Sequence, residues 1–247
     1  MKKQFLFAMF LAIGVVGFCS GATIPYSTDF STNPGWLTDQ PSNLYWDSAS
    51  ESYFVHSEYP GYVPSRYAYA LLPEAIGSFN LEWDVKVVRA DGGASAIQFG
   101  IYDNHLGDFY AGGEYIWLHA GASGSNSHWW CMSISAGGIN AETGTPISAD
   151  AWSIGEWYTC TMTYDSVLSK VDIQIKTRDD QQEIWTSNLS VPGAGFTNEL
   201  KYLGTVGNLP YASIAEGYID NVNLTPEPAT LLLLGMGGLV LRKRRAG

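Results

Sequence analysis

From Phe79 to Val87 the chain alternates without a break. Phe79, Leu81, Trp83, Val85 and Val87 are apolar, and Asn80, Glu82, Asp84 and Lys86 between them are polar or charged. A period of two puts the two sets on opposite faces of an extended strand; a helix would scatter them. The same period recurs in Tyr158, Cys160, Met162 and Tyr164, interleaved with Thr159, Thr161 and Thr163, and in Val171, Ile173 and Ile175. Ala96–Tyr102, Tyr115–Leu118 and Trp129–Ser135 read as further strands. Breaks fall at Asp91-Gly92-Gly93, Ala111-Gly112-Gly113, Gly121–Ser127, Gly137-Gly138 and Pro192–Gly195, all turn or loop compositions. Ala141–Ala149 and Gly121–Ser127 are the longest expected loops. Leu71–Ile76 leaves room for one helical turn, limited by Pro73. The chain therefore predicts an all-β body, an antiparallel sandwich of two sheets.

Both ends depart from this pattern. Lys2 and Lys3 precede an apolar run from Phe5 to Phe18, and Ser20-Gly21-Ala22 follows. A charged start, a short apolar centre and a small-residue exit make a secretory signal peptide, with cleavage by signal peptidase expected after Ala22. Bulky Phe18 before Cys19 speaks against a lipoprotein. The tail has three parts: Pro226-Glu227-Pro228, a run of small and apolar residues from Ala229 to Leu241, and the basic cluster Arg242, Lys243, Arg244 and Arg245. Cationic side chains resist crossing a bilayer and hold the end on the cytoplasmic side. The apolar run is shorter than the ~20 residues of a standard span, so a short hydrophobic helix here makes a transient anchor in the inner membrane. This tail resembles the PEP-CTERM sorting signal. The resemblance implies cleavage near Pro226-Glu227-Pro228 by an exosortase, a membrane protease-transpeptidase, and delivery to the cell surface or extracellular matrix. Three segments follow: a signal peptide at 1–22, the body at 23–225 and the sorting tail at 226–247.

Of thirteen Lys and Arg, six lie in the two end segments. The body keeps seven, against twenty-three acids, a net charge of −16. Such a surface repels phosphate backbones and excludes nucleic acid as a partner. Cys131 and Cys160 are the cysteines of the body. In an exported protein they can form a disulfide or remain two buried thiols.

The body also carries a resemblance. Tyr26-Ser27-Thr28-Asp29-Phe30-Ser31, then Trp36 and Tyr45-Trp46-Asp47, stand near its start. Gly217-Tyr218-Ile219-Asp220-Asn221-Val222-Asn223-Leu224 stands at its end. With the Phe79–Val88 strand and Gly155-Glu156-Trp157-Tyr158, these segments resemble the concanavalin A-like lectin/glucanase jelly roll, including its LamG-like members. The resemblance implies adjacent first and last strands, which brings Asp29 near Asp220. Two carboxylates with backbone carbonyls suit one structural calcium; alternatively Asp29 caps a turn and Asp220 bonds locally. Glucanases of this fold carry two Glu flanking an Asp on one strand. Here Glu82 and Asp84 start the pattern, but Val87 and Val88 occupy the places for the second Glu, so no catalytic residue is assigned.

Aromatic residues are the strongest hint of a ligand, because indole and phenol faces stack on the apolar faces of sugar rings. Tyr110, Tyr115, Trp117, His119, Trp129 and Trp130 cluster beside Gly- and Ser-rich loops and are the candidate carbohydrate contacts. The competing role is filling the sandwich interior. Adjacent Trp129 and Trp130 must face opposite sides, so one of them belongs to the core. The expectation is a non-catalytic exported protein associated with extracellular polysaccharide. The alternatives are a glycan-active hydrolase or lyase and a purely structural matrix or adhesion protein.

Overall fold

The computed structural model describes residues 25–58, 67–91, 95–104, 113–122, 128–143, 152–192, 195–206 and 214–226. The signal peptide, the sorting tail beyond Pro226, Tyr110 and the side chain of Trp129 lie outside the described residues.

Strands, numbered in chain order, form two antiparallel sheets. The eight-stranded sheet runs β13 (Glu183–Ser190), β12 (Lys170–Thr177), β11 (Trp157–Asp165), β6 (Phe79–Asp91), β15 (Ile214–Pro226), β4 (Ser52–Glu58) and β3 (Leu44–Asp47), and β1 (Tyr26–Thr28) also pairs with β15. The seven-stranded sheet runs β10 (Ile139–Glu142), β9 (His128–Ala136), β8 (Tyr115–Ala122), β7 (Ser95–Tyr102), β14 (Tyr202–Val206), β5 (Tyr67–Leu71) and β2 (Leu37–Thr38). No helix occurs among the described residues, including the turn expected at Leu71–Ile76. Ala141 and Glu142, expected in a loop, close the β9–β10 hairpin instead.

The alternation lands as expected. Phe79, Leu81, Trp83, Val85 and Val87 are all buried between the sheets with Tyr158, Cys160, Met162, Val171, Ile173 and Ile175. Facing them are Ile97, Phe99, Ile101, Ile116, Leu118, Met132 and Ile134. Trp83 bridges the layers, its ring 5.2 Å from that of Phe99. Each such side chain contributes about 1.5–3 kcal/mol through removal from water. Gly155, at φ 88°, turns the chain into β11 and donates its N–H to Val87 (2.8 Å).

Cys131 and Cys160 are free thiols, so the bridge that would have joined them is not formed. The reason is topological. β9 and β11 belong to different sheets, and the two side chains point into different environments. Cys160 faces the inter-sheet core, while Cys131 donates to the Thr143 carbonyl (3.4 Å) away from it. Burial pushes both thiols up, so both stay protonated at neutral pH.

A single carboxylate ties the loops at one end of the sandwich. Buried Glu114, just before β8, accepts from the N–H groups of Gly137 (2.7 Å), Thr197 (2.8 Å) and Asn198 (2.6 Å), and from the Thr197 hydroxyl (3.0 Å). Burial pushes this carboxyl up, but the donors outweigh it and hold it below its usual range. The depressed value makes the contribution full above the unfolded pKa of about 4.3, and it is lost as pH falls through the folded value. Glu114→Gln is expected to cost about 2–3 kcal/mol, the scale of hydrogen bonds to a charged acceptor. Thermal melts across pH 2–7 should show wild-type stability falling below about pH 4, with a flatter profile in the variant.

Candidate functional site

Alternation gives each sheet a second face, turned away from the core. On the seven-stranded sheet that face is aromatic. Ile97, Phe99 and Ile101 of β7 point inward, so Gln98, Gly100 and Tyr102 point outward; β8 likewise turns Tyr115, Trp117 and His119 outward. Tyr102, Tyr115, Trp117 and Val206 form a second hydrophobic cluster, separate from the inter-sheet core, with Tyr67, Tyr69 and Tyr202 packed against it. Tyr115 and Trp117 are stacked, with centroids 3.6 Å apart and planes 7° apart.

Register explains the shape. One outward row reads Tyr69, Gly204, Gly100, Trp117, Ser133 and Glu142 across six neighbouring strands. Two glycines stand side by side between Tyr69 and Trp117, whose strands are three spacings or about 14 Å apart. Both glycines are required by close approach. A Cβ at Gly100 would stand 2.1 Å from the Ile116 carbonyl oxygen, and one at Gly204 would stand 2.0 Å from that of Ala68. The tyrosines beside these glycines are half-buried: Tyr69 lies 5.0 Å from Tyr202 and 5.6 Å from Tyr67. Their phenol hydroxyls can both donate and accept. Burial and then the neighbouring phenols push Tyr69 up, so its hydroxyl keeps its proton.

The expected contacts divide on this map. Tyr115, Trp117 and His119 do share the outward face, but Tyr115 and Trp117 are buried and form its backing. His119 packs edge-on against Trp117 at 5.1 Å and lies 3.5 Å from Gln98 Nε2. Burial pulls its imidazole down to about 3, so it is neutral at any physiological pH. Trp130 is removed from the candidate set. It is 1% exposed and packs between the sheets, 5.6 Å from Tyr158. Tyr67 and Tyr69 of this face stand at alternate positions of Tyr67-Ala68-Tyr69-Ala70, a period-two signal legible in the sequence; Tyr202 comes from β14, outside that stretch.

The two aspartates expected to hold calcium take other partners. β1 does pair with β15, Thr28 opposite Val222, so the chain segments meet. Asp29, however, accepts from the N–H (3.0 Å) and hydroxyl (2.8 Å) of Ser31 in an exposed turn. Asp220 lies on the outer face of the eight-stranded sheet, opposite Asp84 of β6. There Arg178 stands in a cation's place. Its Nε is 3.2 Å from Asp84 Oδ2 and its Nη1 is 3.2 Å from Asp220 Oδ2. Thr159 Oγ1 (2.6 Å) and Asn221 Nδ2 (2.7 Å) complete Asp84. Asn221, at φ 48°, sits at the β-bulge that follows Asp220. No group of three or more His, Cys, Asp or Glu among the described residues is placed to hold a metal ion. The donor set does not fit calcium: one carboxylate is turned away and the other already faces a guanidinium. Glu82 and Asp84 share this outer face as expected, but Glu82 is exposed and Asp84 is engaged by three partners. Arg178→Ala leaves two carboxylates of low exposure facing each other. It is expected to cost about 2–3 kcal/mol, less than a fully buried pair because the guanidinium is partly exposed. In thermal melts the substitution is expected to lower the transition to the same extent with and without a chelator.

Comparison with known proteins assigns the tail and the architecture. Residues 224–245 match the PEP-CTERM protein-sorting motif, which begins within β15. No curated protein matches the chain in sequence. Lectin II from Ulex europaeus shares the fold with a TM-score of 0.53 at 11% identity, over 82% of this chain and 97% of that one. Winged bean acidic lectin, in complex with methyl-alpha-D-galactose, gives a TM-score of 0.57 at 10% identity, over 82% of this chain and 98% of that one. Lotus tetragonolobus seed lectin gives 0.54 at 10% identity, over 82% and 97%. At such identities the likeness is one of fold: the body is a concanavalin A-like jelly-roll sandwich of the legume-lectin kind, and the chain ends in a PEP-CTERM sorting motif.

Proposed function

We propose that this is an exported, non-catalytic protein of the cell surface or extracellular matrix that binds extracellular polysaccharide and is sorted by an exosortase acting on its tail. Signal peptidase removes 1–22, the apolar run of the tail anchors the chain transiently in the inner membrane, and processing near Pro226-Glu227-Pro228 releases it. One observation supports the carbohydrate reading: the half-buried trio Tyr67, Tyr69 and Tyr202 packs together on the outer face of the seven-stranded sheet, beside Gly100 and Gly204. Phenol faces stack on the apolar side of a sugar ring while their hydroxyls bond its hydroxyls. The Tyr115–Trp117 stack belongs to the cluster these tyrosines pack against and restricts their rotamers, which lowers the ordering cost of binding. A galactoside bound by a lectin of the same fold supports a sugar as the ligand class.

A glycan array, with reducing-end assays on the same oligosaccharides, tests this directly. Binding without product is expected. Product formation would make the protein a hydrolase or lyase, and silence in both assays would leave a purely structural matrix role. Tyr69→Ala with Tyr202→Ala should weaken binding about tenfold, from two aromatic contacts of about 0.5–1.5 kcal/mol each. For the tail, replacing Pro226-Glu227-Pro228 with alanines is expected to leave the protein in the membrane fraction. Unchanged release, measured by fractionation, would contradict exosortase processing.

A further inference from the structure

The outer face of the eight-stranded sheet holds an aromatic feature of its own. Tyr45 of β3 lies opposite Phe54 of β4, Phe54 opposite Tyr218 of β15, Tyr218 opposite Lys86 of β6, and Lys86 opposite Trp157 of β11. Directly opposed residues project to the same side of a sheet. Their neighbours along each strand, among them Leu44, Val55, Ile219, Val85 and Tyr158, are buried in the core, so all five face outward. At about 4.8 Å per strand the row is about 19 Å long.

The row is cohesive and accessible. The rings of Tyr45 and Phe54 are 5.0 Å apart, and those of Phe54 and Tyr218 are 5.4 Å apart. Lys86 Nζ stands 5.5 Å from the centre of the Trp157 ring, and Arg178 stands 5.0 Å from it. Tyr45 is 40% exposed and the other four are half-buried. Carboxylates border the row. Tyr218 is pushed up by burial, then by Asp47, Tyr45 and Glu216 around it, and keeps its proton. It therefore remains a neutral donor and acceptor beside these carboxylates.

We infer that this row is a second binding surface, for an extended, uncharged polysaccharide, which makes the protein a two-faced bridge between chains of a matrix. The inference rests on the carbohydrate reading above and adds a separate site. Three observations select the occupant. A second copy of this chain needs about 800 Å² per partner for a stable contact. A strip one side chain wide, about 19 by 7 Å, supplies about 130 Å². The body's charge of −16 repels an anionic polymer. A neutral sugar chain is thin and linear, and it presents apolar ring faces to Tyr45, Phe54 and Tyr218. Its hydroxyls reach Asp47 and Glu216 as acceptors and Lys86 as donor.

The test uses the exported chain with soluble β-glucan and galactomannan, and polygalacturonate as the anionic control. Affinity electrophoresis should show Tyr45→Ala with Tyr218→Ala binding a neutral polymer about tenfold more weakly, with an unchanged melting transition. Tyr45→Phe with Tyr218→Phe should keep most of the affinity, because the rings remain. Wild-type protein should raise the turbidity of the polymer it binds, and the double alanine variant of either face should not, since bridging needs both. Loss in the Tyr45/Tyr218 variant alone, with Tyr69→Ala/Tyr202→Ala unaffected, supports this surface and removes the one on the other sheet. Wild-type affinity in the Tyr45/Tyr218 variant overturns this inference and leaves the first site standing. Sedimentation showing a wild-type dimer and a monomeric variant overturns it in favour of a self-contact. Failure of wild-type protein to bind any neutral polymer overturns both.

Discussion

The pairing of β6 with β15 is the interaction on which the rest depends. Both strands are thirteen residues long, and they stay paired from Phe79–Pro226 to Asp91–Ile214. Inward, they bring Trp83, Val85, Ile219 and Val222 into the core that holds the second sheet. Outward, they oppose Asp84 and Asp220, two carboxylates that repel each other where water is largely excluded. Burial raises Asp220 before its neighbours act on it. Arg178, reaching across from the turn after β12, makes this pairing tolerable by sharing its guanidinium between them. The same point is where β15 exchanges partners, β4 as far as Ile219 and β1 from Val222. The bulge at Asn221 is thus a joint: it absorbs one extra residue, donates to Asp84 and lets the first strand join the last.

A sandwich buries one face of each sheet, and the same alternation that supplies the core creates two outer faces. In this chain each carries aromatic residues among its polar ones. The seven-stranded sheet carries a buried aromatic backing with a tyrosine rim, and the eight-stranded sheet carries a cross-strand row from Tyr45 to Trp157. These aromatics serve no purpose in joining the two sheets, since Trp83, Phe99, Trp130 and their neighbours already fill that space. Outward aromatic surface on an acidic, exported body suits contact with neutral, hydroxyl-rich polymers. The fold shared with these lectins sets the scaffold and does not by itself assign a ligand.

Much of the fold was legible locally. The strands β6, β11 and β12 appear in the sequence residue by residue, because burial on one face writes a period of two directly into composition. The pairing of first and last strands follows from the jelly-roll resemblance that the Asp29-Phe30 and Ile219-Asp220 segments help to carry. The site was less legible. Period two separates the two faces of a strand but does not say which apolar face meets the other sheet. Trp117 and Trp130, both in aromatic-rich strands, therefore look alike in sequence and lie on opposite sides of one sheet. Cys131 and Cys160 look like possible neighbours and lie in different sheets. Arg178 offers no local signal at all, since its partners come from strands distant in the chain.

By itself, then, the sequence determined an all-β body, the composition of its strand faces, its acidity and the sorting tail. Each of these rests on local periodicity, net charge or a contiguous motif. Tertiary structure alone decided which aromatics are buried, which carboxylates face each other, and that Tyr45, Phe54, Tyr218, Lys86 and Trp157 form one row. Register supplies the reason: a row across a sheet draws one residue from each of several strands, and only hydrogen-bonded pairing sets which residues stand side by side.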